Sequence, residues 1–250
     1  MAKRTWDPRK FDETYARFIC SHDMDMAVQS SSNEYYSRYR SRYKTCIKRF
    51  CDLAPQQSCC VLDIGGGQLA LLCKKLWDDN AWVADLSRPH LEYMRAQGVG
   101  VVEWNLCKSE QPVMEKFDVV FFSEVIEHLP VPGHVVLEKL KEVLKPGGVI
   151  ICTTPNFHRI RNIVFMALGR QILDRFYVPE SGSLGHVIEY SREHLLWQFD
   201  KAGFKNCQVE YCQMHHSPTN PIFRILSWFG YPLFLVPRLR DNLLAIAYAP

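Results

Sequence analysis

At 250 residues, of which 47% are hydrophobic, the chain can bury one substantial α/β core with a small appendage, and nothing in it calls for two full domains. Thirty Lys and Arg against 27 Asp and Glu leave a formal charge of +3, which excludes a strong polyanion-binding field and with it nucleic acid as a default partner.

The chain opens polar and charged, Met1-Ala2-Lys3-Arg4-Thr5-Trp6-Asp7, without an apolar signal core. A cytoplasmic, reducing setting is therefore expected, and the ten cysteines are expected to stay thiols, most of them small buried hydrophobes. Cys46 and Cys51 sit five apart, as do Cys207 and Cys212, and no C-x-x-C occurs, so no metal is expected. Trp6, Phe11, Tyr15 and Phe18 are spaced for one face of a helix. After a polar break from Gln29 to Asn33, Tyr35, Tyr39 and Tyr43 recur every four residues on one helical face, with Arg38 and Arg42 on a neighbouring one. Residues 1–50 thus read as a helical cap that docks its tyrosines on a core spanning 51–250.

Cys59 to Ala70 reads C-C-V-L-D-I-G-G-G-Q-L-A: a buried strand, a sharp glycine turn and a helix start. Glycine in such a turn accepts positive φ and lets the backbone approach a ligand closely. A dinucleotide site wants G-x-G-x-x-G; counted from Gly65, its third glycine falls on Ala70, a tolerated replacement. Asp63 decides more, because its carboxylate would repel a pyrophosphate and suits a ligand with an ammonium and a sulfonium. Val61 to Gly67 resembles motif I of the class I S-adenosylmethionine-dependent methyltransferases, acidic-x-Gly-x-Gly-x-Gly, met at Asp63, Gly65 and Gly67 and replaced by Leu69 at the last place. The likeness is to the small-molecule type, including the ubiquinone-biosynthesis-like and methyltransferase type 11/23 groups. It implies S-adenosylmethionine as cofactor, held by Asp63, Gly65, Gly66 and Gly67. It also implies that a Tyr- and Arg-bearing helix ahead of the motif closes over the methionine end, with Tyr36 and Arg40 as candidates for its carboxylate.

Leu71 to Trp77 continues the helix, and Ala81 to Ser87 is a second strand ending in Asp85. An acid about twenty residues past the glycine loop is placed to accept from both ribose hydroxyls. Ser87, just before Arg88-Pro89, takes the helix-capping role and leaves Asp85 free for the sugar, beside Leu86. Gly98 to Glu103 is the third strand. By resemblance, Asn105 after it meets the adenine amine, for which an amide is chemically adequate, and Leu106 covers the ring; Trp104 suits the core equally well.

Lys116 to Leu129, K-F-D-V-V-F-F-S-E-V-I-E-H-L, holds a fourth strand apolar enough to be buried on both faces, and resembles the family's strand-four motif. Ser123 and Glu124 fall at its carboxyl end, where open α/β sheets bind ligands. Both are candidates for the cofactor, and Glu124 also for catalysis. His128 either lines the transfer site as a base or is an ordinary helix residue.

A helix from Gly133 to Leu144 stops at Lys145-Pro146-Gly147-Gly148, and Val149 to Asn156 is the fifth strand. The alternation argues a Rossmann-like, doubly wound, mostly parallel sheet, completed to seven strands by Asn206 to Tyr211 and Asn242 to Ala249. Lid insertions are expected at about 157–185, which holds a short apolar helix from Ile160 to Leu168, and at 213–240. His186 follows a Gly/Ser-rich loop, and the resemblance, H-x-x-x-[YF]-[ST], turns it toward the substrate cavity; it is the leading candidate for a base or orienting group. Ser191 caps a helix that runs to Lys201. The stretch Asn220 to Val236 is aromatic and barely charged, broken by Gly230 and Pro232. Lid packing, a homodimer surface and membrane-surface contact all fit it, with packing preferred.

Methyl transfer to an O, N or C nucleophile of a small, hydrophobic or lipid-linked acceptor follows as the expected activity. Two alternatives stand beside it. An NAD(P)-dependent reductase would need a Tyr-x-x-x-Lys pair, which is absent from the sequence; a cofactor-binding partner subunit would lack chemistry of its own.

Overall fold

The computed structural model describes residues 4–20, 33–54, 58–108, 112, 115–173, 185–214 and 235–250, the side chains of 33–36 excepted. Most of the apolar stretch at 220–236, the loop at 180–184 and the side chains of Tyr35 and Tyr36 lie outside the described residues.

Seven strands form one sheet: β1 (Cys60–Ile64), β2 (Asn80–Asp85), β3 (Gly100–Glu103), β4 (Phe117–Ser123), β5 (Leu144–Pro155), β6 (Lys205–Cys212) and β7 (Asn242–Tyr248). Their order is β3-β2-β1-β4-β5-β7-β6, with β7 antiparallel to both neighbours and every other pairing parallel. The order reverses between β1 and β4, so Ile64 and Ser123 open a crevice at the carboxyl edge.

Among the described residues the α-helices are α1 (Pro8–Phe18), α2 (Asn33–Leu53), α3 (Gln68–Trp77), α4 (Arg88–Ala96), α5 (Gly133–Val143), α6 (Ile160–Ala167) and α7 (Arg192–Lys201). Strand alternation divides the core. Val119, Phe121 and Ile151 meet Phe11, Tyr15, Ile47, Phe50, Leu72 and Met94 from α1 to α4. Val120, Phe122 and Ile150 meet Val136, Leu140, Leu195 and Phe199 from α5 and α7. The result is the doubly wound sheet expected from the alternation of elements.

The N-terminal aromatic pattern works as a ladder. Asp7 caps α1 by accepting from the amides of Arg9 and Lys10 at 2.9 and 3.2 Å, with Pro8 at the first turn. Ring centroids then step from Trp6 to Phe11, Tyr15 and Tyr43 at 5.5, 5.6 and 5.5 Å. Just before α1, Arg4 makes a bidentate pair with Asp79 at 2.8 and 2.6 Å, its guanidinium over Phe50 and Trp77. Asp79 also accepts from the amide of Cys59 at 2.9 Å, tying the chain start to the foot of β1.

One boundary differs from expectation. β5 begins at Leu144 and runs through Lys145-Pro146-Gly147-Gly148 instead of starting at Val149. The pairing with β4 jumps from Phe117↔Leu144 to Val119↔Val149, a bulge that absorbs the extra residues. Gly147 takes φ +72 there, and a Cβ on Gly148 would meet two carbonyl oxygens at 2.9 and 3.0 Å. Those glycines shape a bulge as well as ending a helix.

Candidate active site

The three glycines between β1 and α3 all occupy the left-handed region, at φ +73, +81 and +69. A Cβ on Gly67 would lie 2.8 Å from Val83 on β2, so this turn both needs glycine and packs on the neighbouring strand. Asp63 is 2% exposed, and one carboxylate oxygen accepts from the amides of Leu69 and Ala70 at 2.9 and 3.3 Å, capping α3 from below. Burial outweighs those two bonds and pushes its carboxyl up to about 7.

Asp85 does not stay free, as the capping argument for Ser87 had it. Oδ2 accepts from the amide of Gly66 at 2.9 Å, and Oδ1 from the amides of Leu86 and Ser87 at 2.6 and 2.8 Å, whereas the Ser87 side chain makes no cap bond. The reason is geometric: with β1 and β2 paired, the β2 exit lies against the glycine loop, and the nearest open amides bind its carboxylate. His90, which the sequence reading passed over, contacts the Gly66 carbonyl through Nε2; burial lowers its pKa and keeps that nitrogen a neutral donor. Leu86 is 57% exposed at this edge. Asn105 accepts from the amide of Cys107 at 3.0 Å, and Leu106 and Trp104 are buried.

At the end of β4, Ser123 shares a 2.7 Å hydrogen bond with Thr153 of β5. Glu124 follows at φ +55, unusual for a residue with a side chain, held by its amide on the Thr153 carbonyl at 2.9 Å. Its carboxylate accepts from Asn242 at 2.9 Å and pairs with Arg42 at 3.3 Å. Arg40, the sequence candidate on the same helix, instead forms an ion pair with Asp12 of α1 near the surface. The helix repeat placed both arginines on α2; only packing decides that Arg42 faces the crevice.

The β4 exit ends in a 3₁₀ turn, Ile126–His128. Glu127 is fully buried; its Oε2 accepts from the Thr154 hydroxyl at 3.0 Å, while Oε1 has no hydrogen-bond partner among the described residues. Burial, with the charge of Glu124 added, holds its carboxyl well above the usual range. The segment before α7 returns to this turn, the amides of Val187 and Ile188 donating to the Glu127 carbonyl at 2.8 and 3.3 Å. That return brings the His128 and His186 rings to 4.8 Å between centroids, edge to face. His186 Nδ1 lies 3.3 Å from Glu189, itself bound by Arg159 and Asn162, and His128 Nδ1 lies 3.3 Å from the Gly185 carbonyl. Both histidine candidates thus share one end of the crevice with Ser123 and Glu124. Glu127 stood in the V-I-E-H run, where adjacency to His128 was its only sequence signal.

A sequence model of the methyltransferase domain family matches residues 35–209. The chain belongs to the methyltransferase domain family. A ubiquinone biosynthesis O-methyltransferase from Bordetella avium (strain 197N) is 28% identical to it over 178 residues, covering 68% of this chain and 70% of the relative. Among solved structures, a chain in the Haloferax volcanii complex of the Trm112 methyltransferase activator superposes with a TM-score of 0.63 at 16% identity, over 95% of this chain and 96% of that one. A phosphoethanolamine N-methyltransferase 2 from Haemonchus contortus, in complex with S-adenosyl-L-methionine, gives 0.57 at 15% identity, over 96% of this chain and 60% of that one. At such identities the structural likenesses establish the fold. Taken with the family match, they make this a class I S-adenosylmethionine-dependent methyltransferase, and neither the reductase nor the partner-subunit reading is favoured. The residues at the crevice fit the methyltransferase cofactor: a glycine turn that excludes any Cβ at Gly67, a buried acidic side chain at the end of β1 beneath that turn, and an exposed Leu86 at the β2 exit.

Proposed function

We propose that this methyltransferase moves a methyl group to a hydroxyl oxygen of a small acceptor with an apolar body, and that the imidazole pair His128 and His186 takes the acceptor's proton. The observation that carries the reading is that pair, partly exposed at the β4 exit, with each Nδ1 directed at an oxygen acceptor. An Nδ1–H donated to Glu189 or to the Gly185 carbonyl leaves the other ring nitrogen basic, as a general base requires. The Bordetella avium relative is named as an O-methyltransferase of ubiquinone biosynthesis, which supports an oxygen nucleophile.

When bound, S-adenosylmethionine supplies an activated methyl group on a sulfonium. The chain's own residues then hold and orient. Asp63 attracts the ammonium, the amides of Gly65 to Gly67 line the turn below it, and Asp85 keeps lone-pair capacity on Oδ2 for a ribose hydroxyl. Asn105 would address the adenine amine, with the exposed Leu86 and the neighbouring Leu106 supplying apolar contact. Ser123 and Glu124 shape the methionine end, where Arg42 replaces Arg40 as the cation within reach. Holding the acceptor against the methyl group and excluding water contribute several kcal/mol to the rate, roughly 7–11 in the best-oriented cases, and the base a further factor of about 10²–10⁴.

The test is methyl transfer to a panel of phenolic, alcoholic and amine acceptors with apolar tails, with calorimetry for cofactor affinity. His186→Ala is expected to lower kcat by about 10²-fold or more on the hydroxyl acceptor, with cofactor affinity unchanged. Turnover confined to amines, or unaltered kcat in His186→Ala, removes the reading.

A further inference from the structure

We propose that Glu127, His128 and His186 form a binding site for one first-row divalent transition-metal ion. One ligand atom from each lies within 4.8 Å of the others, and Glu127 Oε1 is 3.8 Å from His128 Nε2. Two ligands each about 2.1 Å from a metal stand at most about 4.2 Å apart. The shorter separation already meets that limit, and the longest closes with a shift of about half an ångström in one ring.

Three features show a site prepared for a cation. First, a fully buried carboxylate has one oxygen anchored on Thr154 and the other without a hydrogen-bond partner among the described residues, a costly arrangement for a structural glutamate. Second, each imidazole is set in one tautomer by an acceptor at Nδ1: the Glu189 carboxylate for His186 and the Gly185 carbonyl for His128. A carboxylate or carbonyl behind a histidine is the usual support for metal ligation, since it orients the ring and raises its basicity. Third, the glutamate is fully buried while the His128 and His186 side chains are 31% and 23% exposed, so an ion can enter over the rings and keep coordination positions toward the crevice. Two imidazoles with one carboxylate select zinc, cobalt, manganese or iron over magnesium, which prefers oxygen ligands.

Read with the proposed function, on which this consequence alone rests, an acceptor hydroxyl at an open position would lose its proton to solvent more readily while its oxygen stays on the metal. With metal bound, the two histidines serve as ligands and no longer as the base; the ion lowers the pKa of the hydroxyl, and solvent takes its proton.

The test uses the full chain without cofactor, titrated with Zn²⁺ by calorimetry and with Co²⁺ by visible absorption. One ion per chain is expected, with a Co²⁺ spectrum free of thiolate charge transfer. Affinity should fall by at least about tenfold in Glu127→Gln, His128→Ala and His186→Ala, and by about tenfold in Glu189→Gln, which reaches the metal through His186. Should the buried Glu127→Gln fail to fold, the two histidine variants carry the comparison. No binding to the wild-type chain, binding unchanged in the variants, or a thiolate signature from the cysteines overturns the site. Hydroxyl methylation that proceeds as fast without bound metal removes the catalytic consequence and leaves both the site and the proposed function standing. Metal binding with no hydroxyl methylation removes the function and leaves the site.

Discussion

Arg42 of α2 lies 3.3 Å from Glu124, the residue that leaves β4 with φ +55. With Asn242 of β7 donating to the same carboxylate at 2.9 Å, one side chain joins the helical cap, the switch point of the sheet and its antiparallel strand. The left-handed backbone and the buried pair make separate predictions.

Glu124→Ala and Glu124→Gly lose the same carboxylate contacts and differ in backbone cost. Glycine enters the left-handed region without the penalty of about 1–2 kcal/mol that a Cβ carries. The glycine variant is expected to be the more stable of the two by about 1 kcal/mol, reversing the usual order of alanine over glycine. Urea denaturation of both variants measures the difference.

Arg42→Met removes a cation from a pair whose side chains are only 7% and 14% exposed. Among the described residues Glu124 then keeps Asn242 as its side-chain partner, and the loss is expected near the lower end of the buried-pair range, about 3 kcal/mol. The double variant Arg42→Met/Glu124→Gln should recover part of it. A double variant as unstable as the sum of the single changes would show that the two residues act independently.

Asp63 makes a pH prediction. Its folded carboxyl, pushed to about 7 by burial, holds a proton that the unfolded chain releases near 3.8. Stability from this group is complete below about 4 and is lost as pH rises toward 7. A cationic ligand prefers the ionised form, so affinity for S-adenosylmethionine should climb by up to about tenfold between pH 6 and 8. Asp63→Asn keeps a single oxygen for the amides of Leu69 and Ala70 but cannot ionise. Its affinity should be weaker and flat with pH, and its unfolding temperature at pH 8 no lower than wild type; a sloping profile in the variant would assign the titration to another group.

Arg4→Met strips the bidentate partner from Asp79, whose side chain is fully buried. Burial already raises that carboxyl, and without the guanidinium it rises further. The expected cost is about 3–5 kcal/mol, with partial recovery in Arg4→Met/Asp79→Asn. Thermal unfolding with calorimetry checks both.

Several elements that frame the candidate site were legible in local sequence. The glycine loop with Asp63, the acid at the end of β2, the apolar β4 run with Ser123 and Glu124 and the Ser191 cap, whose hydroxyl accepts from the His194 amide at 3.2 Å, each depend on residues a few positions apart. Other features did not, because they form between distant segments. Helical repeat cannot choose between Arg40 and Arg42 until α1 supplies Asp12 and β4 supplies Glu124. Nor can strand pattern reveal that Asp85 is bound by the Gly66 amide, which only the pairing of β1 and β2 brings close.

By itself, then, the sequence determined the alternation of strands and helices and the glycine turn after β1, because side-chain period, glycine conformation and helix capping act over a single turn or strand. Tertiary packing decided which charges meet and which protons are held. Asp63 titrates near neutrality because the protein removes its water, and Glu127 meets His128 and His186 because the segment before α7 folds back on the β4 exit. Burial and long-range closure are properties of the assembled sheet, with no signature at any one position in the chain.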